Sequence, residues 1–235
     1  MILNIYKVRN WTSFDVVAKV RGMLGGKRKV GHAGTLDPLA EGVLILLTDE
    51  DTKRQNEFMS MDKEYVAKIA FGASTPTYDL EKLPDVSEKQ MSLEVVIKNV
   101  EKILSRYIGE ISQKVPSYSA VKVKGKTLYK EARKGKVVDK DLPVKRIKIY
   151  EIKILGSKYE ELETGSGTHK FPVIEMAVMC SSGTYVRSLA HDLGEELGCG
   201  AVLIYLQRKR IGDFVVEESK KISDFSDFPW FNKSS

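Results

Sequence analysis

Between Phe171 and Cys180 apolar side chains occupy both parities of the run, interrupted only by Glu175. A strand with one wet face alternates, so a strand that does not alternate needs cover on both faces, and this segment reads as a central strand. The remaining periodicities supply its neighbours. MILNIYKV at the N-terminus, Val43 to Leu47, Tyr65 to Phe71 and Ala201 to Leu206 read as further strands. Ile147 and Ile149 share one strand phase while Ile152 and Ile154 share the other, so a β-bulge near Tyr150 or Glu151 would bring all four to one face. Thr12 and Asp15 have capping-box spacing ahead of a helix over Ser13 to Leu24, and a polar helix is expected through Thr52 to Phe58. Ser92 caps an amphipathic helix marked by Leu93, Val96, Ile97, Val100, Ile103 and Leu104. Val186, Leu189, Ala190, Leu193 and Leu197 trace one face of another, which stops at Gly198. Strands and helices interleave without regular βαβ alternation, which favours an α+β fold with a large mixed sheet over a doubly wound one. At 235 residues one domain is expected, over 1–225, with a short polar-aromatic tail over 226–235.

The longest uninterrupted apolar run, Val43 to Leu47, is far short of the roughly 20 residues that span a bilayer, so no membrane partner is expected. The N-terminus has no basic leader and no small-residue cleavage site, which suits a cytoplasmic protein. Cys180 and Cys199 are too far apart for a CxxC clip and have no cluster of histidines, so buried thiols are expected rather than a disulfide framework or a metal site. Net charge is +6, but Val121 to Lys148 holds eleven Lys or Arg against Glu131, Asp139 and Asp141, a local surplus of eight. With further clusters at Lys27-Arg28-Lys29 and Arg208-Lys209-Arg210, this is the footprint of a phosphate-backbone binder, although a solvated basic face has the same composition.

Absent motifs narrow the chemistry. Arg21 and Arg28 stand where a P-loop around Lys27 would need Gly and Ser or Thr. His32, His169 and His191 form no HExxH pair, and there is no GxSxG elbow. What remains is the Gly-rich loop GHAGTLDPLAEG from Gly31 to Gly42, where Pro38 stiffens the turn directly after Asp37 and biases that residue toward an extended backbone. On its own an Asp-Pro step in such a loop is ordinarily a turn.

The run GHAGTLDPLAEGVLILL resembles the catalytic motif of the pseudouridine synthases, in the bacterial branch that acts on uridine 55 of tRNA. Four more segments resemble the same family in the same order: TSFDVV at Thr12 to Val17, KEYVAKIAFG at Lys63 to Gly72, PSYSAVKVKGKTLYKEARKG at Pro116 to Gly135, and CSSGTYVRSLAHDLGEELGCGAVLIYLQRKRIG at Cys180 to Gly212. The resemblance implies a pseudouridine-synthase-like fold with a mainly antiparallel central sheet flanked by helices. It also implies an isomerase that needs no cofactor, which breaks the N1–C1′ bond of a uridine, turns the base and rejoins it through C5. Asp37 matches the essential carboxylate, and Arg187 the arginine that would keep it ionised once burial raises its pKa. Tyr65 matches the active-site tyrosine, Tyr185 and Leu206 the apolar lining of the base pocket, His32 the wedge against the RNA stack, and Lys7 the lysine of the first strand, all of them with Arg187 implied by the resemblance to contact the substrate. Without the family, each of these reads as core packing or an incidental surface residue.

This chain departs from the pattern at several places. Val8 follows Lys7 where the family has proline, Glu41 replaces a threonine, Val115-Pro116 replaces a double proline, and Pro76 stands between Thr75 and Thr77, ahead of Asp79, where an aspartate is typical. Only 23 residues follow Gly212, so a C-terminal RNA-binding PUA domain is not expected and the basic stretch is expected to hold more of the tRNA. The LDPLA form is the bacterial one, so a stand-alone, monomeric tRNA modifier is preferred over a guide-RNA-dependent member. Two other readings compete. A non-catalytic RNA-binding protein or chaperone would keep the basic surface, and a carboxylate glycosidase would need Glu41 as a second acid about 5 to 9.5 Å from the first.

Overall fold

The computed structural model describes residues 1–123, 125–135 and 142–227; Lys124 and residues 136–141 of the basic stretch, and the tail from 228 on, lie outside these. In chain order the elements begin with β1 (Ile2–Lys7), α1 (Ser13–Met23), β2 (Val30–Ala33), β3 (Glu41–Thr48), α2 (Gln55–Ser60) and β4 (Lys63–Phe71). They continue with β5 (Ala73–Ser74), β6 (Asp85–Val86), α3 (Leu93–Leu104), β7 (Gly109–Lys114), β8 (Lys122–Val123), β9 (Lys126–Thr127) and α4 (Leu128–Ala132). The last are β10 (Val144–Thr164), β11 (Gly167–Cys180), α5 (Val186–Leu197), β12 (Ala201–Ile211) and β13 (Phe214–Val215). This is an α+β fold with a large mixed sheet of nine strands. The described residues form two compact units, one of residues 1–66 with those from 206 on, the other of residues 67–205.

In the first unit β3 is the organising strand. β1 runs antiparallel along one of its edges, from Ile2 opposite Leu47 to Lys7 opposite Gly42. Two partners share its remaining pairings: β12 runs parallel at Glu41 and Gly42, and β2 runs antiparallel from Ile45 to Thr48. Both faces of β3 are covered. Leu44 and Leu46 pack with Ile5 and with Val16, Val17 and Val20 of α1, while Val43, Ile45 and Leu47 pack with Ala33, Phe58 and Ile211. The capping box of α1 is formed as expected, with Asp15 N donating to Thr12 Oγ1 at 3.1 Å and Thr12 N to the Asp15 carboxylate at 2.7 Å. Such a cap contributes about 1 kcal/mol.

Three expectations are corrected in this unit. Gly31 to Ala33 are strand, not loop, because β2 pairs with β3 through them. The helix expected at Thr52 starts at Gln55, preceded by a 3₁₀ turn over Asp49–Arg54. There the Thr52 hydroxyl donates to Asp49 O at 2.7 Å, a local bond of the kind that competes with helical pairing. The strand expected over Ala201 to Leu206 runs on to Ile211, because its polar end turns back through Gly212-Asp213 and pairs Arg210 and Ile211 with β13.

In the second unit the strand order is β12-β4-β11-β10-β7. β11 lies between β4 and β10 as a central strand, but the expected cover on both faces is corrected in part: Ile174, Met176, Val178 and Cys180 are buried, while Glu175, Ala177 and Met179 on the other face are only half-buried. The β10–β11 hairpin carries the expected irregularity between Ile149 and Glu151 and a second one between Ile154 and Gly156. Ile147, Ile149 and Ile152 are buried in consequence, while Ile154 is only half-buried. Ser92 caps α3 as expected, and its Val96, Val100, Ile103 and Leu104 are buried. Both cysteines are free and buried. Among the described residues no helix is long and apolar enough to cross a membrane, and no group of three His, Cys, Asp or Glu is placed to hold a metal ion.

Helix α5 approaches the start of β12 closely at Gly194, where a Cβ would stand 2.1 Å from Ala201 N. Gly194→Ala must push the helix off the start of β12, and overpacking of this kind costs about 3 kcal/mol. Chemical denaturation should show that loss with an unchanged m-value; a loss below about 0.5 kcal/mol would mean that the helix shifts freely.

Candidate active site

The segment around Asp37 has no ladder of its own between Gly34 and Ala40, yet nearly every carbonyl in it is engaged. Asp37 O accepts from Ala40 N at 3.1 Å, closing a turn, and Pro38 O accepts from Asn10 N at 2.8 Å. Ser13, buried at the start of α1, accepts from Leu36 N and donates to Leu36 O, at 2.9 and 3.1 Å. The rest are held by two cations. Lys7, 0% exposed at the end of β1, donates its ammonium to Val8 O at 3.0 Å, Pro38 O at 3.2 Å and Ala40 O at 2.6 Å. Arg208, 2% exposed on β12, donates from Nε to Val43 O at 2.8 Å, from Nη1 to Thr35 O at 3.4 Å and from Nη2 to Gly34 O at 3.2 Å.

Gly42 lets this happen. It has φ +106°, and a Cβ there would lie 2.3 Å from Arg208 O, so only glycine brings β3 and β12 together at the root of the loop. Asp37 itself is left half-buried, with its carboxylate on a backbone fixed from both sides. Loss of water pushes the Lys7 ammonium down to about 8 and Arg208 adds to that, while the Asp37 carboxylate pulls it back up. The nearby carboxylate thus helps Lys7 stay charged at neutral pH.

The other expected residues of this unit are placed as follows. Tyr65 on β4 and Leu206 on β12 are each 8% exposed. His32 sits on β2 opposite Leu46, with its carbonyl accepting from Gln55 Nε2 at 2.7 Å. Its Nδ1 is buried without a hydrogen-bond partner among the described residues, and burial together with Arg208 lowers its pKa, so the ring is neutral at pH 7. Lys7, expected to touch substrate, has its ammonium taken up by the loop and reaches no solvent. Glu41 faces Gln207, whose Nε2 also donates to Tyr6 OH at 3.2 Å.

In the second unit Arg187, 4% exposed in the first turn of α5, donates from Nη1 to Thr77 O at 2.9 Å and from Nη2 to Tyr118 O at 3.1 Å. Its Nε lies 3.6 Å from Oδ2 of Asp79, itself buried. Thr75 and Thr77 donate to Asp79 O at 2.8 and 3.1 Å, and Asp79 Oδ1 accepts from Glu81 N at 3.1 Å. Pro76 is exposed between the two buried threonines, so this departure removes no internal contact. Tyr185, half-buried, is fixed by Gln113, which accepts from its N–H at 2.8 Å and donates to its carbonyl at 3.0 Å. Lys145 lies over the Tyr185 ring, Lys82 over Tyr118 and Arg133 over Tyr129, at 5.8, 5.7 and 4.4 Å from the ring centroids. Cations beside aromatic faces suit both phosphate and base contacts.

One of the basic clusters is corrected, while the other keeps Lys27 and Lys29 exposed. Of Arg208-Lys209-Arg210, the first is buried, the second pairs with Glu217 at 2.6 Å and the third with Glu64 at 3.2 Å. In Lys27-Arg28-Lys29 the arginine pairs with Asp49. The role of Arg208 was missed because it stood in a basic run, although strand parity places it on the same face as Ile204 and Leu206.

Residues 21–186 match the model of the TruB family pseudouridylate synthase N-terminal domain, and residues 187–235 match the tRNA pseudouridylate synthase B C-terminal domain. The chain belongs to the TruB family. It is 41% identical to tRNA pseudouridine synthase B of Parabacteroides distasonis over 97% of this chain and 92% of that protein. It is 38% identical to the Clostridium tetani protein of the same name over 96% of this chain and 72% of that one. Among solved structures it is similar to a chain of a Cbf5-Nop10-Gar1 complex, with TM-score 0.69 and 26% identity, covering 98% of this chain and 54% of that one. In this TruB-family chain the segments that carry the resemblance build the clamped Asp37 loop in the first unit and the Arg187 anchorage in the second.

The clamp can be read by titration. A ¹⁵N or ¹³C NMR titration of Lys7 should give a midpoint of about 8, against an ordinary 10.5, and Asp37→Asn should lower it further. The unfolded chain holds that proton to higher pH, so the cost of burying the ammonium is fully present below about 8 and is relieved as pH rises toward 10.5. A midpoint near 10.5 in either protein would show that Lys7 is solvated and not clamped.

Proposed function

We propose that the protein converts uridine 55 in the T arm of tRNA to pseudouridine, acting alone on the RNA without a guide RNA, as a monomer in the cytoplasm. The observation that carries this reading is the half-buried Asp37 on a loop whose carbonyls are tied down on both sides, in a chain of the TruB family. The long, closely similar relatives named tRNA pseudouridine synthase B support tRNA as the substrate.

The reaction is redox-neutral. The N1–C1′ bond breaks, the uracil turns within the site, and a C5–C1′ bond forms; the C5 hydrogen leaves as a proton and N1 gains one. Asp37 supplies the carboxylate that acts at the sugar, on a backbone that needs no reorganisation at the moment of reaction. Tyr65 packs against the target base and offers its hydroxyl as the acid or base on the carbon skeleton. Arg187 is already positioned by Thr77, Tyr118 and Asp79, so its guanidinium is held in place before substrate binds. The neutral His32 ring offers an uncharged edge to the gap that a flipped nucleotide leaves in the RNA stack. The cation–aromatic pairs at Tyr118, Tyr129 and Tyr185 fit splayed loop bases and their phosphates.

Tritium release from C5-labelled uridine in an unmodified tRNA transcript tests the reading. Wild type should release label from the T-arm uridine and Asp37→Asn none. Tight tRNA binding without release would instead identify a binding protein that keeps the fold. Arg187→Met should lower kcat by about a hundredfold, with tRNA affinity within about threefold, because removing one preorganised charged donor costs roughly that much. Equal losses in both would make Arg187 a phosphate contact. Replacing Lys122, Lys126 and Lys130 by Gln should weaken binding and flatten its slope against salt by about two to three counterions, read by filter binding at several salt concentrations. An unchanged slope would remove the basic stretch from the interface.

A further inference from the structure

The helix that carries Arg187 makes a second contact with the turn that holds it. His191 follows Arg187 by four residues, on the same face of α5, and its imidazole lies flat on the ring of Tyr78, with centroids 4.0 Å apart and planes 9° from parallel. Tyr78 has φ +64°, a left-handed backbone that side chains other than glycine, asparagine and aspartate rarely adopt. Its peptide groups are engaged on both sides, the N–H with Thr75 O at 3.1 Å and the carbonyl with Leu203 N at 2.9 Å. Thr77, just before it, gives its carbonyl to Arg187 Nη1, and Asp79, just after it, gives its carboxylate to Arg187 Nε. The unfavourable residue therefore sits at the centre of the arginine's cradle. A return of Tyr78 to negative φ would rotate the peptides on both sides and move both acceptors away from the guanidinium.

We infer that His191 is a positioning residue for Arg187: stacked on Tyr78, it holds the left-handed turn that aims Thr77 O and the Asp79 carboxylate at the guanidinium. This rests on the synthase reading proposed above. The stack supplies what the backbone at Tyr78 lacks, because offset aromatic pairs contribute about as much as a left-handed tyrosine costs. The group needed is a flat ring, so the function requires neither the imidazole's proton nor contact with RNA.

His191→Ala should lower kcat for tritium release about tenfold, with KM for tRNA within about twofold and the melting transition still cooperative. His191→Phe, which keeps a flat ring, should stay within about twofold of wild type. Tyr78→Gly accepts the left-handed turn without a ring, so adding His191→Ala to it should change kcat by less than about twofold. In the free protein the Arg187 Nε–H resonance should exchange with water faster in His191→Ala and return to the wild-type rate in His191→Phe. This last readout needs no turnover, so it decides the inference even if the wild-type enzyme releases no label, in which case only the synthase reading fails. The inference is overturned by unchanged Nε–H exchange and kcat in His191→Ala, by a Phe variant as slow as the Ala variant, or by an undiminished His191→Ala effect in the Tyr78→Gly background.

Discussion

The shape of the Asp37 loop depends on charged donors binding neutral carbonyls. An irregular segment has no ladder to satisfy its backbone, and each carbonyl left unpaired away from water costs as much as a lost hydrogen bond. Lys7 and Arg208 solve this from the flanks. They stand on β1 and β12, the two strands beside the start of β3, so the sheet register itself delivers one cation to each side of the loop. Charge-assisted bonds are roughly twice as strong as neutral ones, and four of them converge on the loop, at Gly34, Thr35, Pro38 and Ala40. The arrangement follows from where β3 changes partners: β12 pairs at Glu41 and Gly42 and β2 from Ile45, and the Val43 carbonyl in the gap is taken by Arg208.

The second unit uses the same device with the roles reversed. There the cation is the group being positioned, and the carbonyls of Thr77 and Tyr118 are the anchors. Asp79 adds a buried carboxylate, and that carboxylate is in turn oriented by the Glu81 amide while its own carbonyl takes both threonine hydroxyls.

Much of the fold was legible because each long element keeps one period, 3.6 in α1, α3 and α5, and because the apolar run of β11 marks a strand inside the sheet, although its Glu175, Ala177 and Met179 face is only half-buried. The first bulge in β10 was visible as a phase change between two pairs of isoleucines. The second was not, since Leu155 and Gly156 carry no apolar phase to break. The extent of β12 was hidden by its charges, and with it the role of Arg208, because a basic tripeptide reads as surface until strand parity is applied to it. Motif resemblance singled out Asp37 and Arg187 as candidate site residues and Lys7 as a candidate substrate contact. Only the tertiary path of the loop reveals that its ammonium ends on Pro38 and Ala40 carbonyls.

A clamp that grips carbonyls is indifferent to side chains. Thr35 is exposed and Leu39 half-exposed within the gripped stretch, and Glu41 stands half-exposed at its end. Substitution at these positions leaves the bonds that shape the loop intact. The side chains presented around the carboxylate can therefore change without loosening the backbone that fixes Asp37, a separation of replaceable rim from fixed centre that side-chain clamps do not permit.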